Sequence, residues 1–129
     1  MLRDLALAAK AACSKEDQLS LVPLVLQLKE LAEKSKKSGI LFLENELSQI
    51  SDPFLKMGLQ LILDKTDPAD MKDILDSDIY YNESNGRELL KKIILREGLR
   101  RIRNGDTPRD VLICTKIFLG KVDEDAWKS

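Results

Sequence analysis

Apolar residues recur along this chain at intervals of three and four, and β-branched runs with strict alternation are absent. That spacing predicts helix throughout. Leu2 to Ala12 reads as a first amphipathic segment. Ser14, Lys15, Glu16 and Asp17 have the Ser-x-x-acid form of a helix start, and a long helix should follow to about Lys37. Pro23 falls inside it. Either Ser20 caps a new helix whose first turn holds Pro23, or the helix kinks there. Beyond it, Leu24, Leu28, Leu31 and Ala32 share one face. Gly39 ends this helix or allows close packing, and residues 40–50 continue as helix.

Ser51, Asp52 and Pro53 stop that segment and start the next, which carries Phe54, Leu55, Leu59, Ile62 and Leu63. Asp64 to Pro68 reads as a tight turn, with Asp67 as cap and Pro68 as first residue of a helix running to about Tyr81. Asn82 to Gly86 is a plain loop signal. A helix from about Glu88 to Arg103 ends at Asn104 and Gly105. Thr107, Pro108 and Asp110 open the last helix, expected to end near Gly120 before an acidic tail, 121–129, that frays. The spacing Gly58, Leu59, Ile62, Pro68, Asp70 recurs at an offset of 40 as Gly98, Leu99, Ile102, Pro108, Asp110. The expected fold is one all-α domain over residues 1–129, a compact bundle of six or seven helices with two similar helix–turn–helix hairpins.

Composition narrows the chemistry. With 129 residues, 43% hydrophobic and 33% charged, the chain is too apolar for disorder and long enough for one modest core. It has no His, which excludes Ser-His-Asp and Cys-His catalysis and His-ligated zinc. Cys13 and Cys114 are too few for a four-thiolate site and are expected to be free thiols. There is no glycine-rich phosphate loop. The reading is non-enzymatic, with no cofactor and no metal. No apolar run is long enough to span a membrane, and Arg3, Asp4 and Lys10 break any signal-peptide core, so the expected location is cytoplasmic. Net charge is −1, but residues 44–83 hold ten acidic and three basic residues, whereas 84–129 hold eleven basic and seven acidic. Charge complementarity within the fold or with a partner follows from that split.

One stretch is more specific than any single motif. Leu31-Ala-Glu-Lys-Ser35-Lys36-Lys37-Ser38-Gly39-Ile40-Leu41-Phe42-Leu43-Glu44 is followed by Asp52-Pro53-Phe54-Leu55, Gly58-Leu59, Asp64-Lys65-Thr66-Asp67-Pro68 and Ile74-Leu75. In order and without gaps, residues 29–79 resemble the cytoplasmic segment of the flagellar stator protein MotA family, between its second and third membrane spans. Membrane helices follow this segment in that family; here residues 85–129 read as charged, capped helices, with a basic hairpin over 87–120. The resemblance implies protein–protein docking, through charged residues, to a FliG-like rotor protein or to stator subunits. The implied contact residues are Lys36, where the family has Arg, and Glu44, with Lys37 beside them. Lys65 stands where the family's turn has Gly, so a positive φ there would cost energy.

Each candidate also has a plainer reading. Lys34, Lys36 and Lys37 can simply complement a helix C-terminus. Glu44 and Glu46 can be surface carboxylates or pair with a basic residue of the last helices. Lys92, Arg96, Arg100 and Arg103, with Lys91 and Arg101, form a basic face; nucleic acid is a weaker reading than docking on the acidic 64–83 helices, because aromatic residues are only 5%. Asp64, Asp67, Asp70 and Asp73 lack a calcium-loop pattern and read as caps and a polar face. Tyr80, Tyr81 and Trp127 read as a core lid or a mobile tail. A general helical adaptor or a homo-oligomeric scaffold is the other reading of the whole chain.

Overall fold

The computed structural model describes residues 3–39 and 41–128, the side chains of residues 3 and 4 excepted. The expected helix start at Leu2 and the residue Ile40 lie outside them. The described residues are all-α: α1 (Arg3–Lys10), α2 (Lys15–Leu19), α3 (Val22–Ser38), α4 (Phe42–Leu47), α5 (Pro53–Leu63), α6 (Pro68–Tyr81), α7 (Gly86–Arg103) and α8 (Pro108–Lys116), then a 3-10 turn at Glu124–Trp127. Six of these have eight residues or more, and α2 and α4 are short.

The starts are chemical. The side chains of Ser14, Asp52, Asp67 and Thr107 accept hydrogen bonds from the backbone N–H groups of Asp17, Leu55, Ala69 and Asp110. Each satisfies a first-turn donor that has no partner within the helix. Prolines 23, 53, 68 and 108 stand in first turns, where a missing N–H costs nothing. At Pro23 a new helix does begin with the proline in its first turn, but Ser20 does not cap it. α2 closes at Ser20, Leu21 takes the cap position of α3 without a side-chain bond, and the hydroxyl of Ser20 donates back to the Asp17 carbonyl. Gly39 ends α3 with φ 84°, so the expected helix over residues 40–50 is only α4, and Ile50 lies outside it as a buried loop residue.

α7 is the centre of the bundle. It packs on α3, α5, α6 and α8 and touches α1, while α3 lies along α8 and α4 bridges α3 to α5. Eight of its residues are buried, among them Leu89, Ile94, Leu95 and Leu99. Each such aliphatic side chain contributes about 1.5–3 kcal/mol of burial.

The repeat is real at the level of hydrogen bonds. Lys65 and Gly105 N–H donate to the carbonyls of Ile62 and Ile102, both at 3.0 Å, and Thr66 and Asp106 N–H donate to those of Leu61 and Arg101, again at 3.0 Å. These are twin Schellman stops with a left-handed residue at the same place, Lys65 at φ 57° and Gly105 at φ 80°. The buried sets also superimpose at the offset of 40: Leu55 on Leu95, Leu59 on Leu99, Ile62 on Ile102, Met71 on Val111 and Ile79 on Leu119.

Candidate docking surface

The last turn of α3 carries Lys36 and Lys37, and Glu44 opens α4. All three are exposed and form no ion pair among the described residues. Their neighbours behave otherwise. Lys34 Nζ lies 2.9 Å from Glu46 and 3.1 Å from Glu30, and 5.9 Å from the centre of the Phe42 ring. Those two carboxylates hold the Lys34 ammonium above its ordinary pKa. Lys34 and Glu46 therefore clip α4 to α3 and leave the candidate set. The partner of Glu46 comes from α3, not from the last helices.

Lys36 has company that the sequence does not announce. It lines a cavity of about 240 Å³ with Ser35, Ile102, Arg103 and Asp106, at the turn between α7 and α8. Arg103 Nε donates to the Thr66 carbonyl at 3.0 Å, so the turn between α5 and α6 meets the same end of the bundle. Like Lys36, Arg103 forms no ion pair among the described residues.

The rest of the basic face is used inside the molecule. Lys92 Nζ is 2.7 Å from Asp78 and Arg96 Nη1 is 2.9 Å from Asp76, joining α7 to α6. These two cations have 17% and 13% of their side-chain surface exposed. Arg100 and Arg101 both reach Glu97 on their own helix. Lys91 bridges Asp52 (2.7 Å) and Glu88 (2.9 Å), a tie between α7 and the cap of α5 that periodicity alone does not reveal.

The other candidates fall into structural roles. Asp67 caps α6, and Asp64 accepts from Gln60 at 2.9 Å. Trp127 is half-buried against the core, with Lys116 Nζ 5.3 Å from its ring centre, so the tail is docked where fraying was expected. Tyr80 and Tyr81 are exposed, which removes the core-lid reading for both. Cys13 and Cys114 are free thiols.

Known proteins match the chain over about half its length. Motility protein A of Borreliella burgdorferi is 44% identical over 54 residues, 42% of this chain and 21% of the relative. Motility protein A of Treponema pallidum is 35% identical over 60 residues, 46% and 23%. The chain carries a MotA-family segment. Motility protein A of Helicobacter pylori adds 36% identity over 62 residues, 48% of this chain and 24% of that protein. The chain thus spans less than a quarter of the length of these MotA relatives. No family model and no solved structure matches it. No described helix is long and apolar enough to cross a membrane.

Proposed function

We propose that the chain is a non-enzymatic, stator-related docking module of the flagellar motor. In this reading Lys36, Lys37 and Glu44 bind a FliG-like rotor protein or stator subunits at the cytoplasmic face. The observation that carries it is selective pairing. Within one stretch of α3 and α4, Lys34 and Glu46 neutralise each other, whereas Lys36, Lys37 and Glu44 stay exposed and uncommitted. Exposed charges of both signs suit a polar rim that sets partner choice and encounter rate.

The test is capture of the chain's partners from its source cells, with Lys36→Glu and Glu44→Lys as controls. Rotor or stator proteins should be enriched, lost with either reversal, and weakened by salt. Enrichment that survives both reversals would refute this surface.

A second reading, a homo-oligomeric scaffold, has one observation of its own. Ile113 of α8 and Ile117, which caps the end of that helix, are 50% and 75% exposed. At the offset of 40, their twins on α6 are Asp73 and Ser77. Light scattering of the wild type against an Ile113→Asp, Ile117→Ser double variant decides it. A mass that falls from dimer to monomer supports the scaffold; a monomer in both removes it.

A further inference from the structure

Two cations from different helix ends line the cavity of about 240 Å³ at the turn between α7 and α8: Lys36 in the last turn of α3 and Arg103 in the last turn of α7. Arg103 is anchored through one nitrogen. Its Nε donates to the Thr66 carbonyl at 3.0 Å, which fixes the guanidinium against the turn between α5 and α6. Its two Nη groups bond to no described residue, and neither is sealed off from solvent. A fork of N–H donors left open in this way matches a carboxylate. Because the anchor already orders the side chain, less freedom is lost when the fork is filled.

The acid on the same cavity does not fill it. Asp106 is held by Arg101 at 3.3 Å, and neither Lys36 nor Arg103 forms an ion pair among the described residues. Two unmatched positive charges therefore share one open notch. Asp106 and the carbonyl ends of α3 and α7 limit what can enter. They oppose a compact dianion such as phosphate more than a single carboxylate. At about 240 Å³ the notch is smaller than most small-molecule sites and suits one inserted side chain.

We infer that this notch accepts one glutamate or aspartate side chain of the docked protein, with Arg103 as its two-pronged donor and Lys36 beside it. The inference rests on the docking reading. It adds a residue outside the MotA-like stretch 29–79 and a chemistry for the partner, an acidic side chain seated at this end of the bundle.

The probes are the purified rotor protein and stator subunits of the source cells, taken in turn against the full chain. Arg103→Lys keeps the charge but loses the fork, so it should raise the dissociation rate by about tenfold and leave the salt dependence of association unchanged. Arg103→Gln should change both. A second readout needs no variant: the bound partner should protect Arg103 of the wild-type chain from phenylglyoxal by at least about tenfold, and leave Arg87, at the other end of α7, as reactive as before. Unchanged dissociation in Arg103→Lys, or equal reactivity of Arg103 with and without partner, would overturn the inference. Loss of the partner in Lys36→Glu but not in Arg103→Gln would overturn it and leave the docking surface standing. Binding by neither probe, or binding indifferent to Lys36→Glu and Glu44→Lys, would remove the docking reading itself. Displacement of the partner by inorganic phosphate beyond that by sodium chloride of equal ionic strength would mark a general anion site and overturn the carboxylate assignment.

Discussion

Leu99 fills the space that a side chain on Gly58 would need: a Cβ there would run into the Leu99 Cδ1 methyl and meet Cγ at 3.0 Å. The twin glycine does the same one layer further in, where a Cβ on Gly98 would come 2.7 Å from Leu28 Cδ1. Glycine therefore lets α5 sit close on α7, and α7 close on α3, by the same device at the same repeat position. Gly58→Ala should lower stability by about 1–2 kcal/mol, the cost of overpacking less the gain in helix propensity. Leu99→Ala should cost about 2–5 kcal/mol. Because the two share one space, the double variant should be more stable than the sum of the singles predicts, read by urea denaturation as a double-mutant cycle. Strict additivity would show that the contact is not limiting.

The twin turns supply an internal control for backbone strain. Lys65 and Gly105 hold the same left-handed position and make the same hydrogen bonds, but only one is glycine. Left-handed backbone costs an L-residue about 1–2 kcal/mol, and part of that is offset because glycine loses more entropy on folding. Lys65→Gly should therefore stabilise the chain by about 0.5 kcal/mol. Gly105→Lys should destabilise it by about 1 kcal/mol. Opposite signs for exchanges at equivalent places are the expected result of thermal melts on the pair.

The basic residues of α7 should bind nucleic acid poorly. Lys92 and Arg96 are committed to Asp78 and Asp76, and freeing either would leave a half-buried carboxylate without its partner. A salt titration with a short DNA duplex should give weak binding. A steep negative slope, corresponding to several phosphate contacts, would contradict it.

Much of this was legible in the sequence. Ser14, Asp52, Asp67 and Thr107 announced their helices because capping is local chemistry, and the offset of 40 announced the twin hairpins. The acidic 64–83 and basic 84–129 stretches foretold the α6–α7 ion pairs in kind. Periodicity does not encode which face meets which neighbour. The placement of Arg103 beside Lys36 depends on three helix ends converging. The Lys91 bridge to Asp52 joins residues 39 positions apart across the α5–α7 contact. The start of α3 differs from the expected cap at Ser20 by one residue for another reason: Leu21 has no capping side chain, and packing of Leu21 and Val22 into the core fixes the start instead.

That Lys91 bridge sets the acid response of the fold. Burial pushes the Asp52 carboxyl up, but the hydrogen bond from Lys91 and the cap bonds from Leu55 and Phe54 outweigh it and hold it below the usual carboxylate range. Asp76 behaves alike, with burial opposed by Lys72 and Arg96. Glu88 is lowered by its hydrogen bond to Lys91. Each of these groups binds its proton more tightly in the unfolded chain than in the folded one. Their contribution is therefore fully present above the ordinary carboxylate pKa of about 4 and is lost as pH falls through the lowered folded values. Stability from denaturant titrations should be flat from about pH 7 to pH 5 and fall steadily below about pH 4. Asp52→Asn keeps a good helix cap while removing the charge. It should cost about 1–2 kcal/mol at pH 7 and much less at pH 2, so the acid slope becomes shallower. A variant that lowers stability equally at both pH values would show that the cap, and not the charge pair with Lys91, is what Asp52 contributes.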